Sequence, residues 1–134
     1  MLMTIRFRSL TFRGEAMKKS GKTMPQQNRE VCRAVCAIVH ANINENVFFQ
    51  QSGFKTRISR LRKNVFADNG VMVELDQGYV KIKVYVDTIV GECSILLNAT
   101  ELQKNIEEEI VLLTSFLPKE IDVIITGINV KKTH

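Results

Sequence analysis

Cysteine is scarce in this sequence, and long apolar runs are absent from it. Cys32, Cys36 and Cys93 are the only cysteines in 134 residues, too few and odd in number for a fold built on disulfides, which indicates a reducing compartment. No run approaches the roughly 18 apolar residues that a membrane-spanning helix needs, and the first residues lack the apolar core of a signal peptide. We therefore expect a cytoplasmic protein without a transmembrane segment.

Charge is unevenly distributed along the chain. The formal net charge is +5, and residues 1–24 contain six basic residues against the single acidic residue Glu15. The remaining residues, 25–134, carry 13 basic and 13 acidic groups and are neutral. Because the basicity belongs to the first residues, it is weak support for a nucleic-acid partner.

The first 24 residues show little of the periodicity that forms a core. We expect residues 1–24 to be a basic, disordered tail, since chain termini are often loosely held. The alternative is an edge strand, because Ile5 and Phe7 alternate with polar neighbours in "TIRFR", a period of two. Residues 25–134 are predicted to form one domain.

Apolar periodicity predicts two long helices in that domain. The first, "QNREVCRAVCAIVHANI", has an apolar face made by Val31, Ala34, Val35 and Ile38. The second is predicted to run from Ile95 through Leu113 to Leu117, where apolar residues recur at spacings of three and four until Pro118 ends the pattern.

Strand patterns lie between and after the helices. "VMVEL" and "YVKIKVYVD" alternate around the short turn "DQG", which predicts a hairpin with one apolar face, and "IDVIITGINV" predicts a last strand. Together these elements predict a two-layer α+β fold with a small mixed or antiparallel sheet, two longer helices and one short basic helix. The predicted shared core consists of Val31, Val35, Ile38, Val73, Ile82, Val84, Leu102, Ile106, Ile110, Val123 and Ile125.

The short basic helix is the densest cluster of positive charge. In "GFKTRISRLRKNVF", one narrow apolar stripe is predicted from Phe54 through Ile58 and Leu61 to Val65. The rest of the helix surface carries the predicted partner-binding residues Lys55, Arg57, Arg60, Arg62 and Lys63. Such a helix can be merely solvated, or it can bind anionic lipid, nucleic acid or a protein. Tyr79 and Tyr85, on the polar face of the hairpin, are the candidate stacking groups for bases.

Candidate chemistry is sparse. Cys32, Cys36 and His40 recur every four residues and could line one stripe of the first helix. Three ligands on one helix do not complete a tetrahedral metal site. Because cysteine is among the most frequently buried residues, we interpret the two cysteines as core residues. The carboxylates of residues 107–109 are consecutive and point apart on a helix, so they do not form an acid/base pair. We expect no catalytic residues, no metal, no cofactor and no enzyme activity.

The order of elements and their junctions resemble the alkaline shock protein family of bacterial envelope stress response proteins. "DNGVMVELDQGYVKIKVYVDTIVG" is similar to that family's strand, acidic-glycine turn, long alternating strand and terminal glycine. "IDVIITGI" resembles its closing strand, "ELQKNIEEEIVLL" its preceding helix, including Gln103, and "SGFKTRISRL" its short helix. The likeness covers roughly residues 28–130.

This resemblance implies a protein without enzymatic activity that works in the envelope stress response as an assembly or adaptor protein. It implies a place at the cytoplasmic face of the membrane, held by a membrane-anchored protein partner. A small sheet with an exposed edge can also associate with another copy of itself. The alternative function is an RNA-binding or nucleic-acid-binding module that uses the basic helix 54–65 and the N-terminal tail.

Overall fold

A computed structural model describes residues 3–8, 26–52, 65–89 and 94–129. These residues form two helices and six strands. In chain order they are β1 (Met3–Arg8), α1 (Gln26–Glu45), β2 (Phe49–Gln51), β3 (Val65–Asp68), β4 (Val71–Asp76), β5 (Tyr79–Ile89), α2 (Ile95–Leu113) and β6 (Leu117–Asn129). The predicted α+β fold is confirmed. Neither helix in this part of the chain is both long and apolar enough to cross a membrane.

The sheet is mixed, with the order β1-β6-β5-β4-β3 and with β2 paired to the far end of β5. Only β5 and β6 run parallel among the strand pairs described. A parallel pair needs a crossover connection, which α2 supplies.

Two tight turns set the register of the β3, β4 and β5 meander. Asn69 and Gly70 have φ values of 46° and 84°, and Gln77 and Gly78 have 44° and 90°. Two consecutive residues with positive φ are typical of a type I′ turn, whose twist matches that of the flanking strands. "NG" and "QG" therefore hold the strands in antiparallel pairs without a longer loop.

Both helices pack on one face of the sheet, because every second strand residue is apolar and points to that side. The core joins residues of α1 such as Val35 and Val39, residues of α2 such as Leu102 and Ile106, and alternate residues of the central strands. All predicted core residues are buried except Val31, which is partly buried and packs against the core. Ala34, predicted on the same helix face, is exposed.

The predicted end of the second helix is wrong. The helix ends at Leu113, whose exposure is 65%, and Leu117 is the first residue of β6. Thr114 ends the helix, because its backbone is extended and both its N–H and its hydroxyl donate to the Ile110 carbonyl. The N–H of Leu117 then donates to the Gly78 carbonyl, so pairing with the sheet replaces the next helical turn.

The N-terminal segment adopts the second of its two predicted alternatives in the part that is described. Met3–Arg8 forms strand β1, which pairs antiparallel with β6 from Met3↔Ile125 to Arg8↔Glu120. Residues 9–25 lie outside the described residues. The predicted basic helix also lies outside them up to residue 64, and its last residue, Val65, belongs to strand β3 instead.

Candidate functional site

The predicted partner-binding residues of the basic segment lie outside the described residues, but both ends of that segment are described. Just before it, the N–H of Ser52 donates to the Tyr85 carbonyl at 3.4 Å. Just after it, Val65 pairs with Glu74 of β4. The chain that carries Lys55, Arg57, Arg60, Arg62 and Lys63 thus leaves the sheet beside β5 and returns beside β4.

A network of polar side chains holds Ser52, the residue that precedes the basic segment. The hydroxyl oxygens of Ser52 and Thr126 are 2.5 Å apart, and the Thr126 hydroxyl donates to Asp87 Oδ1 at 2.8 Å. Asn129 Nδ2 donates to the other Asp87 oxygen at 3.2 Å. Gly127 makes room for the carboxylate, since a Cβ there would lie 3.0 Å from Asp87 Oδ1. Asp87 therefore anchors the buried Ser52 through Thr126.

The second feature is the face of the sheet opposite the helices, which we call the open face. Its side chains come from alternate positions of β1, β4, β5 and β6, and they surround an open depression of about 300 Å³. The charged lining residues are Arg6, Glu74, Lys81, Lys83, Glu120 and Asp122.

Arg6 links the edge strand to β6 on the open face. Its Nε and Nη2 atoms donate to the two oxygens of Asp122 at 3.1 Å and 3.3 Å, and Nε also forms an ion pair with Glu120. The Asp122 side chain is 3% exposed, whereas that of Arg6 is half exposed. The hydrogen bond and charge of Asp122, with the charge of Glu120, raise the pKa of Arg6. Asp122 is thus a buried charge with a cationic partner from the neighbouring strand.

Two lysines of the open face also form ion pairs there. Lys81 Nζ lies 3.9 Å from Glu74, and Lys119 Nζ lies 3.8 Å from Asp76. The charged residues that line the depression balance, since three are basic and three are acidic. Tyr79 and Tyr85 are six positions apart on β5, or about 20 Å. A neutral face with widely spaced aromatic rings is a poor platform for consecutive nucleotides.

The cysteine and histidine stripe of α1 is divided between core and surface. Cys32 and Cys36 are buried, and burial raises the pKa of their thiols to about 11 and about 12. His40 Nε2 lies 3.1 Å from the Asp68 carbonyl oxygen. Within the described ranges, no group of three or more His, Cys, Asp or Glu side chains could hold a metal ion. Burial thus disfavours the thiolate, which is the form of cysteine that acts as a nucleophile or a metal ligand.

The carboxylates of residues 107–109 are also separated. Glu109 accepts a hydrogen bond from Asn42 Nδ2 at 3.1 Å, which ties α2 to α1, and Glu108 is exposed.

Sequence patterns did not predict the pairing of Arg6 with Asp122 and Glu120. The alternation in "TIRFR" and in "KEIDVI" was the available signal, since it puts these three charges on the polar face of two strands. It does not reveal that the two strands are neighbours, because the paired residues are 116 positions apart.

No protein-family model, curated protein or solved structure matches this chain. The resemblance to the alkaline shock protein family therefore stays a prediction, and the function has to be argued from the residues themselves.

Proposed function

We propose that this protein is a non-enzymatic adaptor of the envelope stress response that binds a membrane-anchored protein partner at the cytoplasmic face of the membrane. Its partner-binding surface is the basic segment with Lys55, Arg57, Arg60, Arg62 and Lys63. The observation that carries the proposal is the open face of the sheet, where charged groups pair with each other across strands. Catalysis needs titratable groups that are available to one reacting atom, whereas Arg6, Glu120 and Asp122 are engaged with each other.

The composition of the open face favours a protein partner. Arginine, tyrosine and methionine are enriched in protein–protein interfaces, and the face carries Arg6, Met72, Tyr79 and Tyr85. The basic segment joins the sheet at Ser52 and Val65, and Val65 itself lines the depression of this face. The salt bridges within this face would form the polar rim of the interface. A charge that keeps its partner costs less to remove from water than an unpaired charge.

Nucleic-acid binding is the second candidate function. The density of the basic segment favours it, with five basic residues between positions 55 and 63. The neutral open face opposes it, because sequence-independent binding to phosphates depends on an excess of positive charge. RNA binding would therefore have to rest on the basic segment 54–65 and the N-terminal residues alone.

Co-sedimentation with inside-out bacterial membrane vesicles tests the proposal. We expect the purified protein to sediment with native vesicles, to lose this association when the vesicles are first treated with trypsin, and to bind protein-free phosphatidylglycerol liposomes weakly. RNase should have no effect. Equal binding to trypsin-treated vesicles or to liposomes would mean direct lipid contact, and release by RNase would support the second candidate.

A charge-matched pair of variants locates the binding surface. Replacing Lys55, Arg57, Arg60, Arg62 and Lys63 with Gln should abolish sedimentation. The control replaces Arg29, Arg33, Lys104, Lys131 and Lys132 with Gln, which removes the same net charge elsewhere, and it should sediment like the wild type. Circular dichroism checks that both variants fold. If the two variants bind equally, the basic segment is not the binding surface.

A further inference from the structure

Strand β1 lies at one edge of the sheet, and its pairing with β6 is regular. Six consecutive residue pairs join the two strands without a register shift. Met3, Thr4 and Arg6 are exposed, while Ile5 and Phe7 are partly buried against the core. The other edge strand, β3, has four residues, and His40 of α1 contacts its Asp68 carbonyl oxygen. Among the described edge strands, which include the three residues of β2, β1 therefore offers the longest row of backbone groups.

Several protections of an edge strand are missing from β1 itself. Proteins block edges with proline, bulges, charged side chains or a covering helix or loop. β1 contains no proline and no bulge, and Arg6 points to the open face, where Asp122 and Glu120 bind it. Its inward side chains are Ile5 and Phe7. The strand is thus regular and alternating, which suits it to pairing with another strand.

We propose that a second copy of this chain pairs with β1 in antiparallel orientation, around a two-fold axis that passes beside Ile5. An antiparallel pair of identical edge strands requires this axis to be perpendicular to the sheet, so the helices of both copies lie on the same side. Each copy contributes one β1 edge, so the assembly closes as a dimer. This dimer goes beyond the proposed adaptor function, and it can be tested without a membrane or a partner.

Charge selects the register of the pair. Directly opposite residues in an antiparallel pair point to the same face of the sheet. The two-fold axis must therefore pass between a residue and the same residue of the second copy. An axis at Ile5 or at Arg6 pairs five described residues of each copy. A centre at Arg6 places Arg6 opposite the second copy's Arg6, and like charges directly opposite destabilise a sheet. A centre at Ile5 places Ile5 opposite Ile5, Met3 opposite Phe7 and Thr4 opposite Arg6.

The Ile5 register is also self-complementary in polarity. Its apolar pairs lie on the helix side, where they extend the core of each copy across the axis. On the open face, the half-exposed guanidinium of Arg6 faces a threonine hydroxyl rather than a cation. An extended peptide from another protein is the competing occupant, but a foreign strand would need the same alternation, which a second copy supplies by symmetry.

Substitutions of Thr4 test both the partner and the register. In sedimentation equilibrium across a concentration series, Thr4→Glu should tighten the dimer and Thr4→Lys should weaken it, because each places a charge opposite Arg6 twice per dimer. Cross-strand charge pairs of this kind change the dissociation constant by about 2- to 30-fold. A protein that stays monomeric at high concentration would overturn the proposal, as would equal effects of Glu and Lys.

Disulfide trapping provides an independent measurement. In a Cys93→Ser background, Ile5→Cys should form a cross-linked dimer on mild oxidation, since the two residues lie directly opposite each other within the reach of a disulfide. Met3→Cys is the matched control, because its two copies would be about 13 Å apart. Cross-linking of the Met3→Cys variant instead of the Ile5→Cys variant would overturn the register.

Discussion

At the scale of single residues, the buried side chain of Gln103 connects its helix to two strands. Its amide is 1% exposed, and Nε2 donates to the Ile5 carbonyl at 2.8 Å and to the Ile121 carbonyl at 3.0 Å. One side chain of α2 thus joins the helix to both β1 and β6. Buried amides of this kind stabilise only while their partners are present.

Replacing Gln103 with Leu should lower the free energy of unfolding by about 1 to 3 kcal/mol, because two buried carbonyl groups lose their donor. Urea denaturation followed by circular dichroism measures this. Asn105→Leu is the control, since Asn105 is exposed on the same helix and surface substitutions usually change stability by about 0.5 kcal/mol or less. Equal losses in the two variants would contradict the structural role of Gln103.

The two buried thiols predict a pH dependence in the alkaline range. Burial raises the pKa of Cys32 to about 11 and that of Cys36 to about 12, from an ordinary value of 9.0. A group with a raised pKa in the folded state stabilises the fold fully below its unfolded pKa, and that stability is lost as the pH rises toward the folded pKa. We expect the free energy of unfolding to fall more steeply between pH 9 and pH 11 in the wild type than in a Cys32→Ala, Cys36→Ala variant. Parallel curves would mean that the thiols titrate normally.

At the scale of elements, α2 and β1 differ in how they are held. α2 buries one face with Leu102, Ile106 and Ile110 and exposes its last apolar residues, including Leu112 at 81%. β1 depends on six backbone pairs, on Gln103 and on the ion pairs of Arg6. The helix is stabilised mainly by packing, whereas the edge strand adds hydrogen bonds and ion pairs to the partial burial of Ile5 and Phe7.

Ile106→Ala should cost about 2 to 5 kcal/mol, because Ile106 is fully buried and its truncation leaves a cavity. The denaturant midpoint measures this cost. Leu112→Ala is a matched control on the same helix and should have little effect. If Leu112→Ala were the more destabilising substitution, the orientation of the helix would be wrong.

Deleting residues 1–8 should lower the denaturant midpoint and the solubility. The deletion removes β1, exposes the backbone edge of β6 and leaves the buried Asp122 without Arg6. Adding Asp122→Asn to the deletion should recover part of the lost stability, because the amide carries no charge. A deletion variant as stable and soluble as the full chain would show that residues 1–24 act only as a tail.

At the scale of the whole molecule, the two helices and the central strands share one continuous core. We therefore expect a single cooperative unfolding transition. Far-UV circular dichroism, which reports the helices, and fluorescence of Tyr79 and Tyr85, which reports β5, should give coincident denaturation curves. Separate midpoints would mean that the helices unfold independently of β5.

Local sequence patterns were enough to predict the type of each long described element and most of the core. Residues such as Val35, Ile82, Val84 and Ile106 were predicted correctly as core residues. Hydrophobic periodicity is a local property, since it depends only on residues within a short window of the sequence. The "DQG" turn was also predicted from the sequence, since glycine readily adopts the positive φ that a tight hairpin turn needs.

Which strands are neighbours could not be predicted from local patterns and follows from long-range pairing. The parallel pairing of β5 with β6, the place of β1 beside β6 and the contact of Arg6 with Asp122 join residues that are far apart in the chain. The end of α2 was decided in the same way, because pairing of Leu117 with Gly78 competes with a further helical turn. Local patterns indicate which secondary structure a segment can form. Its neighbours in the sheet depend on which distant segment can pair with its backbone hydrogen-bonding groups and its charges.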